Sequence, residues 1–269
     1  MEISDSLQGV SVPADSPKAG RALELALDHF GARSLGARVL IDSDLPRGKG
    51  MASSTADVSG VIYAVARALG QQIEESEVAR LCLQIEPTDG SAFSGLALFD
   101  HRTGSICERL GPVPPLYVAV LDFGGEVDTI SFNAVDHTAV LKESEKGFEA
   151  AIRLVRHGLE TGRVQAIGAA ATFSALAHQR ILSKPMLPKV IELSSELGAC
   201  GVNVAHSGTV IGMLFSQSSW LALPSLQDTL FRELPELEKV YMCRVIAGGC
   251  YYDEVEGHSM LLHSRKHEE

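Results

Sequence analysis

The sequence predicts an α+β chain of two domains, and three observations carry that prediction. A glycine-bearing loop, Leu45-Pro46-Arg47-Gly48-Lys49-Gly50-Met51-Ala52-Ser53-Ser54-Thr55-Ala56-Asp57, joins an apolar run to a long helical pattern. Pro112-Val113-Pro114-Pro115 is the one stiff, proline-rich connection, and a boundary there gives domains of residues 1–112 and 113–269. Beyond it the order is strand, helices, strand, strand, helix, strand from residue 116 to 246.

Residues 1–15 show no periodicity, and Pro13 with Asp15 and Ser16 marks a turn or helix start. Ala22, Leu23, Leu25, Ala26 and Phe30 share one helical face, with Gly31 placed as a C-terminal cap. Ala37 to Asp42 alternates as a half-buried strand that delivers the chain to the loop. Val58, Ile62, Val65 and Leu69 predict a helix from Ser53 that ends at Gly70. Val78, Leu81, Cys82 and Ile85 predict another, which Pro87 stops.

The loop has the chemistry of a phosphate site. Gly48 and Gly50 let the backbone approach a ligand, the next helix offers unpaired N–H groups and a positive dipole end, and Lys49 adds a positive charge. The hydroxyls of Ser53 and Ser54 either cap the helix or reach a metal bound to phosphate. The same residues also suit a plain strand-loop-helix turn with a serine cap. A Walker A loop is excluded because Lys49 lies between the glycines and no Ser or Thr follows it directly; a Rossmann loop lacks its third glycine.

Glu86 falls at the end of the second helix, where the dipole disfavours a negative charge by several tenths of a kcal/mol, roughly. A nearby cation would compensate it. Asp89 follows in Glu86-Pro87-Thr88-Asp89-Gly90, a stretch read most simply as a solvated helix end and an Asp-Gly turn. His101 reads as a turn residue.

In the second half, Leu116 to Leu121 is a buried strand, and helices are expected over 143–160, 163–182 and Met186 to Leu197, the last capped by Gly198. Gly168, Ala169, Ala170 and Ala171 allow close packing, while Thr172 and Ser174 are expected to bond back to their own helix. Residues 201–215 form two strands around a His206-Ser207-Gly208 turn, 219–231 a helix, and Lys239 to Ile246 a last strand. This order is that of a ferredoxin-like unit with helices inserted after its first strand. The tail, with His258, His263 and His267, is expected to be solvated.

Composition bounds the function. At 45% hydrophobic and 21% charged, the 269 residues support packed cores, and a net charge of −11 argues against a sequence-independent hold on nucleic acid. Five cysteines without Cys-x-x-Cys spacing indicate neither a disulfide framework nor a zinc module, but reduced, mostly buried thiols. No leader segment and no run of about 18 apolar residues occurs, so the expected protein is cytoplasmic, without a membrane partner.

The order Pro46-x-x-x-Gly50-Met51-x-Ser53-Ser54-Thr55 resembles the phosphate-loop motif of the GHMP kinases (galactokinase, homoserine kinase, mevalonate kinase, phosphomevalonate kinase), normally Pro-x-x-x-Gly-Leu-x-Ser-Ser-Ala. Met51 stands for Leu and Thr55 for Ala. The fuller string Gly50 to Asp57 is more similar to the L-threonine kinases of cobalamin biosynthesis. Leu83 to Asp89, followed by Leu98-Phe99-Asp100-His101, resembles the same group at the same distance from the loop, and Asn203-Val204-Ala205-His206-Ser207-Gly208-Thr209-Val210 resembles its third motif.

The resemblance spans roughly residues 16 to 249. It implies a two-domain GHMP kinase fold, with a ribosomal-protein-S5-like N-terminal domain and a ferredoxin-like C-terminal domain, and transfer of the ATP γ-phosphoryl group to the hydroxyl of a small amino acid, L-threonine first. ATP and Mg²⁺ are the implied cofactors. Gly48, Lys49, Gly50, Met51, Ala52, Ser53 and Ser54 would bind ATP, Ser54 and Glu86 would hold the metal, and Asp89 would orient or deprotonate the acceptor hydroxyl. The two carboxylates could exchange or share their roles. Ser207 and Gly208 would lie near nucleotide and substrate, with His206 there too or a structural plug. The family's first motif, a Gly-Glu-Leu-rich strand, has no counterpart here, so the N-terminal strands are expected to be truncated and to leave an open sheet edge. Another metabolite kinase or decarboxylase of the superfamily, or a non-catalytic nucleotide-binding protein, are the alternatives.

Overall fold

The computed structural model describes residues 1–4, 7, 9–14, 16–127, 132, 134–255 and 258–262. Two compact units divide them: Met1–Leu45, Ala52–Gly111 and the chain from Ala247 form the first, Pro46–Met51 and Pro112–Ile246 the second. The chain after 246 was expected in the second domain. Instead Gly248 and Gly249 turn at φ +70° and +81°, Gly248 bridges to Ser94, and the Gly95 N–H donates to the Ala247 carbonyl at 2.5 Å.

In the first unit, β1 (Glu2–Ser4) and β2 (Val10–Ser11) flank β3 (Gly36–Arg38), β1 antiparallel and β2 parallel. The strand expected over 37–42 is thus shorter, and Leu40 beyond it is 84% exposed. Strand β3 is not itself an edge, because residues without periodicity pair on both of its sides, and β1 and β2 are the edges of this three-stranded sheet. Helix α1 (Pro17–His29) starts on proline, which suits a first turn whose N–H is unpaired anyway. Its Ala22, Leu23 and Ala26 pack with Val58, Ile62 and Val65 of α2 (Ser53–Ala68) and with Val78, Leu81 and Cys82 of α3 (Glu75–Leu83) in one core. Ile62 is fully buried, and its truncation to alanine costs about 2–5 kcal/mol at such a position. A 3₁₀ turn (Gly90–Ala92) leads to the hairpin β4 (Leu96–Phe99) and β5 (Cys107–Gly111).

Beyond the Gly248-Gly249 turn, β10 (Tyr251–Val255) and β11 (His258–Leu262) form a hairpin, and the Tyr252 hydroxyl donates to the Tyr63 carbonyl at 3.4 Å. Asp15, His263 and His267, named in the sequence reading, lie outside the described residues.

The second unit is one antiparallel sheet with helices. Strands β6 (Leu116–Asp122), β7 (Gly201–Val204), β8 (Ile211–Ser216) and β9 (Lys239–Arg244) lie in the order β7-β8-β6-β9, the ferredoxin-like arrangement. Its helices are α4 (Thr138–Glu143), α5 (Glu145–Thr161), α6 (Val164–His178), α7 (Leu187–Glu196), α8 (Gln217–Leu221) and α9 (Leu226–Glu233). The single helix expected over 219–231 is split at Pro224, whose ring cannot continue α8. The small residues of α6 do allow a close approach: a Cβ on Gly168 would overlap the Cys200 carbonyl, and one on Gly201 the Gly168 carbonyl. Thr172 bonds back to Gly168 at 2.9 Å and accepts from the Val202 N–H at 2.9 Å, tying α6 to β7.

Cys82 is buried, Cys107 is exposed contrary to expectation, and Cys200, Cys243 and Cys250 are half-buried; all five are free thiols. Among the described residues no helix is long and apolar enough to cross a membrane.

Candidate functional site

In the first unit the site begins at the N-terminus of α2. The residue before the helix, Ala52, has φ 61°, and no side chain caps the helix. The serine cap that the sequence allowed is therefore not formed. Left-handed alanine costs about 1–2 kcal/mol, and glycine forfeits about 0.4–1 kcal/mol of any relief through its freer unfolded chain. Ala52→Gly is expected to raise stability by roughly 0.5–1 kcal/mol, checked by the denaturation midpoint; a destabilised variant contradicts the strain.

The hydroxyls at the helix start serve two carboxylates instead. Ser54 donates to Oε1 of Glu86, and Lys18 Nζ lies 2.5 Å from the other oxygen, Oε2, and 3.3 Å from Ser54 Oγ. Lys18 is thus the cation that the helix-end charge of Glu86 called for. The next residue, Thr55, donates to Asp89 Oδ2 at 3.2 Å and accepts from the buried Thr88 hydroxyl at 3.1 Å. Asp89 Oδ1 accepts from the Ser91 N–H at 2.9 Å. Consecutive residues of α2 therefore orient both carboxylates on the segment after α3. Burial first, and then the charges of Asp89 and Glu86, push the Cys82 thiol up to about 12, so it stays protonated behind them.

The neighbouring Asp100 is a turn builder: it accepts from the Thr103 and Ser105 hydroxyls and from the backbone N–H groups of Arg102 and Thr103, which hold its carboxyl well below the usual range. His101 lies in that turn, its carbonyl accepting from the Thr88 N–H at 2.9 Å.

In the second unit, the loop's glycines meet the His-Ser-Gly turn. Gly50 has φ +79°, and a Cβ there would stand 2.5 Å from the Ala205 Cβ and 2.8 Å from the Gly208 Cα. A Cβ on Gly208 would overlap the Lys49 carbonyl, which accepts from the Thr209 N–H at 3.1 Å and the Val210 N–H at 3.4 Å. Ser207 is half-buried in the same turn, and Met51 half-buried in the loop. Lys49 does not stand free: its Nζ is 2.9 Å from Oδ1 of Asp122, a buried carboxylate at the end of β6 that also accepts from the Gly124 N–H at 2.9 Å.

Farther along this unit, Lys184 is buried and donates to the Ala205 carbonyl at 3.1 Å. His178 is buried with its ring 5.3 Å from that of the exposed His206, and Phe132 packs edge-on to His206 at 5.5 Å. Burial, then the charge of Lys184, lowers His178 to about 4, so it is neutral at pH 7.

Burial alone lowers Lys184 from 10.5 to about 8. The unfolded chain thus holds this proton more tightly than the folded one, and the penalty is full below pH 8 and fades as pH rises to 10.5. The stability of the parent relative to a Lys184→Met variant is expected to rise across that window in paired denaturation curves; a flat difference contradicts the burial of a charge.

Of the residues expected from sequence, Ser54 meets Glu86, and Gly50 meets Gly208 through their backbones. Lys18, Thr55, Asp122 and Lys184 were not foreseen. The unbalanced charge of Glu86 was a signal for Lys18, and an aspartate closing an otherwise apolar strand a signal for Asp122. Thr55 was visible as a departure from the family's alanine. Lys184, in a Ser-Lys-Pro loop, carries no sequence signal.

Mg²⁺ keeps several waters and takes one or two carboxylates plus substrate phosphates, so it needs no protein cage. Ser54 and Glu86 offer one hydroxyl and one carboxylate already in contact, and among the described residues no group of three or more His, Cys, Asp or Glu side chains forms a cage. The donor set fits a nucleotide-bound Mg²⁺.

The family described as GHMP kinases N terminal domain matches residues 18–99, and that described as GHMP kinases C terminal matches residues 155–241. The L-threonine kinase of Salmonella typhimurium is 37% identical over 216 residues, 79% of this chain and 71% of that protein. That of Citrobacter freundii is 32% identical over 216 residues, 79% of this chain and 74% of the other. Among solved structures, a homoserine kinase from Cytophaga hutchinsonii has a TM-score of 0.70 at 17% identity, over 97% of this chain and 87% of that one. The mevalonate kinase of Methanococcus jannaschii has 0.63 at 15%, over 91% and 87%; both are likenesses of fold.

Proposed function

The chain belongs to the GHMP kinases, and from that membership we propose that it transfers the γ-phosphoryl group of ATP to the hydroxyl of a small hydroxy amino acid, converting L-threonine to O-phospho-L-threonine. One observation carries the reading: successive hydroxyls at the start of α2, Ser54 and Thr55, orient Glu86 and Asp89. Phosphoryl transfer asks a protein mainly to position reactants and stabilise charge, and this arrangement supplies those parts.

In this reading Gly48 to Ser54 cradle the phosphates with backbone N–H groups, Met51 and Ala52 fixing the entry into α2 and Ser53 opening its first turn. Bound Mg²⁺ would neutralise charge on the β- and γ-phosphates. Ser54 and Glu86 would hold that ion, with Lys18 displaced from the pair. Asp89 orients the acceptor hydroxyl and takes its proton as the new O–P bond forms. Lys49 reaches phosphate only by leaving or sharing Asp122. Ser207 borders the acceptor, and Gly208 fixes the loop. Service to cobalamin biosynthesis is supported by the likeness of the Gly50 to Asp57 string to the threonine kinases of that pathway.

The test is coupled ADP release with L-threonine, L-serine and L-homoserine, together with Mg-ATP titration of the parent and Ser54→Ala. Release that depends on the amino acid and is greatest with L-threonine is expected, with weaker Mg-ATP binding in the variant. Release indifferent to the amino acid would exclude the acceptor class. Equal Mg-ATP affinity in both proteins would remove the role of Ser54.

A further inference from the structure

We propose that Lys18 keeps the metal position closed to a free divalent cation, so that the ion enters only as its nucleotide complex; the inference rests on the metal role proposed above for Ser54 and Glu86. The Lys18 ammonium lies 2.5 Å from Glu86 Oε2 and 3.3 Å from Ser54 Oγ, and Ser54 itself donates to Glu86 Oε1. One cation thus touches both groups that would hold the other. Mg²⁺ binds oxygen at about 2.0–2.1 Å, so an ion held by this hydroxyl and this carboxylate needs the space where the ammonium stands. The two cations exclude each other.

The pairing joins two local misfits. Lys18 sits in the first turn of α1, where the helix dipole disfavours a positive charge. Glu86, whose N–H donates to the Cys82 carbonyl at 3.1 Å, lies at the C-terminal end of α3, where the dipole disfavours a negative one. Each offsets the other. The Glu86 side chain is 9% exposed and that of Lys18 35%, so the carboxylate is held in a nearly dry place while the ammonium keeps a face to water by which it can leave. A buried carboxylate stripped of its counter-ion is costly, and the position therefore always holds some cation.

All three residues belong to the first unit, and Ser54 lies in the first turn of α2, whose unpaired N–H groups suit phosphate. A free divalent ion brings positive charge to a place that already has it. The nucleotide complex brings the ion together with anionic phosphates, which offer the displaced ammonium a new partner beside that helix start. Exchange is then favoured only when ion and phosphates arrive together.

Titration with Mn²⁺ alone, followed by electron paramagnetic resonance in the absence of nucleotide, reads the position directly. The parent and Lys18→Arg are expected to bind the ion weakly, and Lys18→Met at least about tenfold more tightly, the range for loss of a charged hydrogen-bonding competitor. Lys18→Gln, which keeps a donor without the charge, is expected to follow Lys18→Met, and adding Glu86→Gln to either should abolish the gain. Lys18→Met is also expected to melt below the parent without metal and to recover as Mn²⁺ is added, by mass action. Equal Mn²⁺ affinity in the parent and in folded Lys18→Met or Lys18→Gln protein would overturn the proposal. So would a gain in affinity that survives Glu86→Gln. Neither ATP nor an amino acid is present in these titrations, so they are separable from turnover. A protein with the expected Mn²⁺ pattern that phosphorylates no hydroxy amino acid would lose the acceptor class and keep the role of Lys18; one that phosphorylates L-threonine with parent and Lys18→Met equal in Mn²⁺ affinity would do the reverse.

Discussion

Replacing Asp89 by asparagine is expected to leave Mg-ATP binding nearly normal and to lower turnover with L-threonine by a factor on the order of 10² or more. Asparagine keeps an oxygen that can accept from Thr55 or from the Ser91 N–H, so the local fold survives. What it removes is the ability to take a proton. Glu86 cannot substitute in this account, because it is the carboxylate that would hold Mg²⁺ with Ser54. Glu86→Gln is expected to show the opposite pattern, weakening Mg-ATP binding first, and this contrast assigns separate roles to the two carboxylates. If turnover survived in Asp89→Asn while His206→Ala abolished it, the assignment would be wrong.

A single methyl group at Gly208 is expected to cost about 1–3 kcal/mol of stability, the usual penalty for overpacking, and to weaken Mg-ATP binding with it. The added carbon would overlap the Lys49 carbonyl, and that carbonyl holds the turn through the Thr209 and Val210 N–H groups. Backbone cannot rotate aside as a side chain does, so either the turn or the loop is displaced. Ser207→Ala adds no atom there and is expected to leave the denaturation midpoint near that of the parent. A Gly208→Ala protein with unchanged stability and unchanged nucleotide affinity would show that loop and turn are not locked together.

Much of the fold was legible because its helices carry strong local signals. Gly31, Gly70 and Gly198 mark the ends of α1, α2 and α7 with positive φ, as their sequence positions suggested. The elements that escaped are short or depend on distant partners. Strands β1 and β2 have three and two residues, too few for periodicity, and exist through pairing with β3. The return of the terminal hairpin to the first unit depends on the Gly248-Gly249 turn.

The site divides the same way. Motif order located Ser54, Glu86 and Asp89, since glycines, serines and a proline-stopped helix are local features. It could not supply Lys18, Asp122 or Lys184, whose partners lie 68, 73 and 21 residues away in the chain. Each is an ionic or buried polar contact set by tertiary packing. The Lys49–Asp122 pair also changes what the loop offers, because a charge expected to face phosphate already has a buried counter-ion.

The most direct measurement follows the phosphorus atom itself. With ATP, Mg²⁺ and L-threonine, ³¹P resonance and mass spectrometry should show O-phospho-L-threonine accumulating in equal amount with ADP, and neither should form in the Asp89→Asn protein at a comparable rate. Release of inorganic phosphate in place of the phosphoamino acid, or ADP formation unaffected by omitting L-threonine, would contradict phosphoryl transfer to this acceptor.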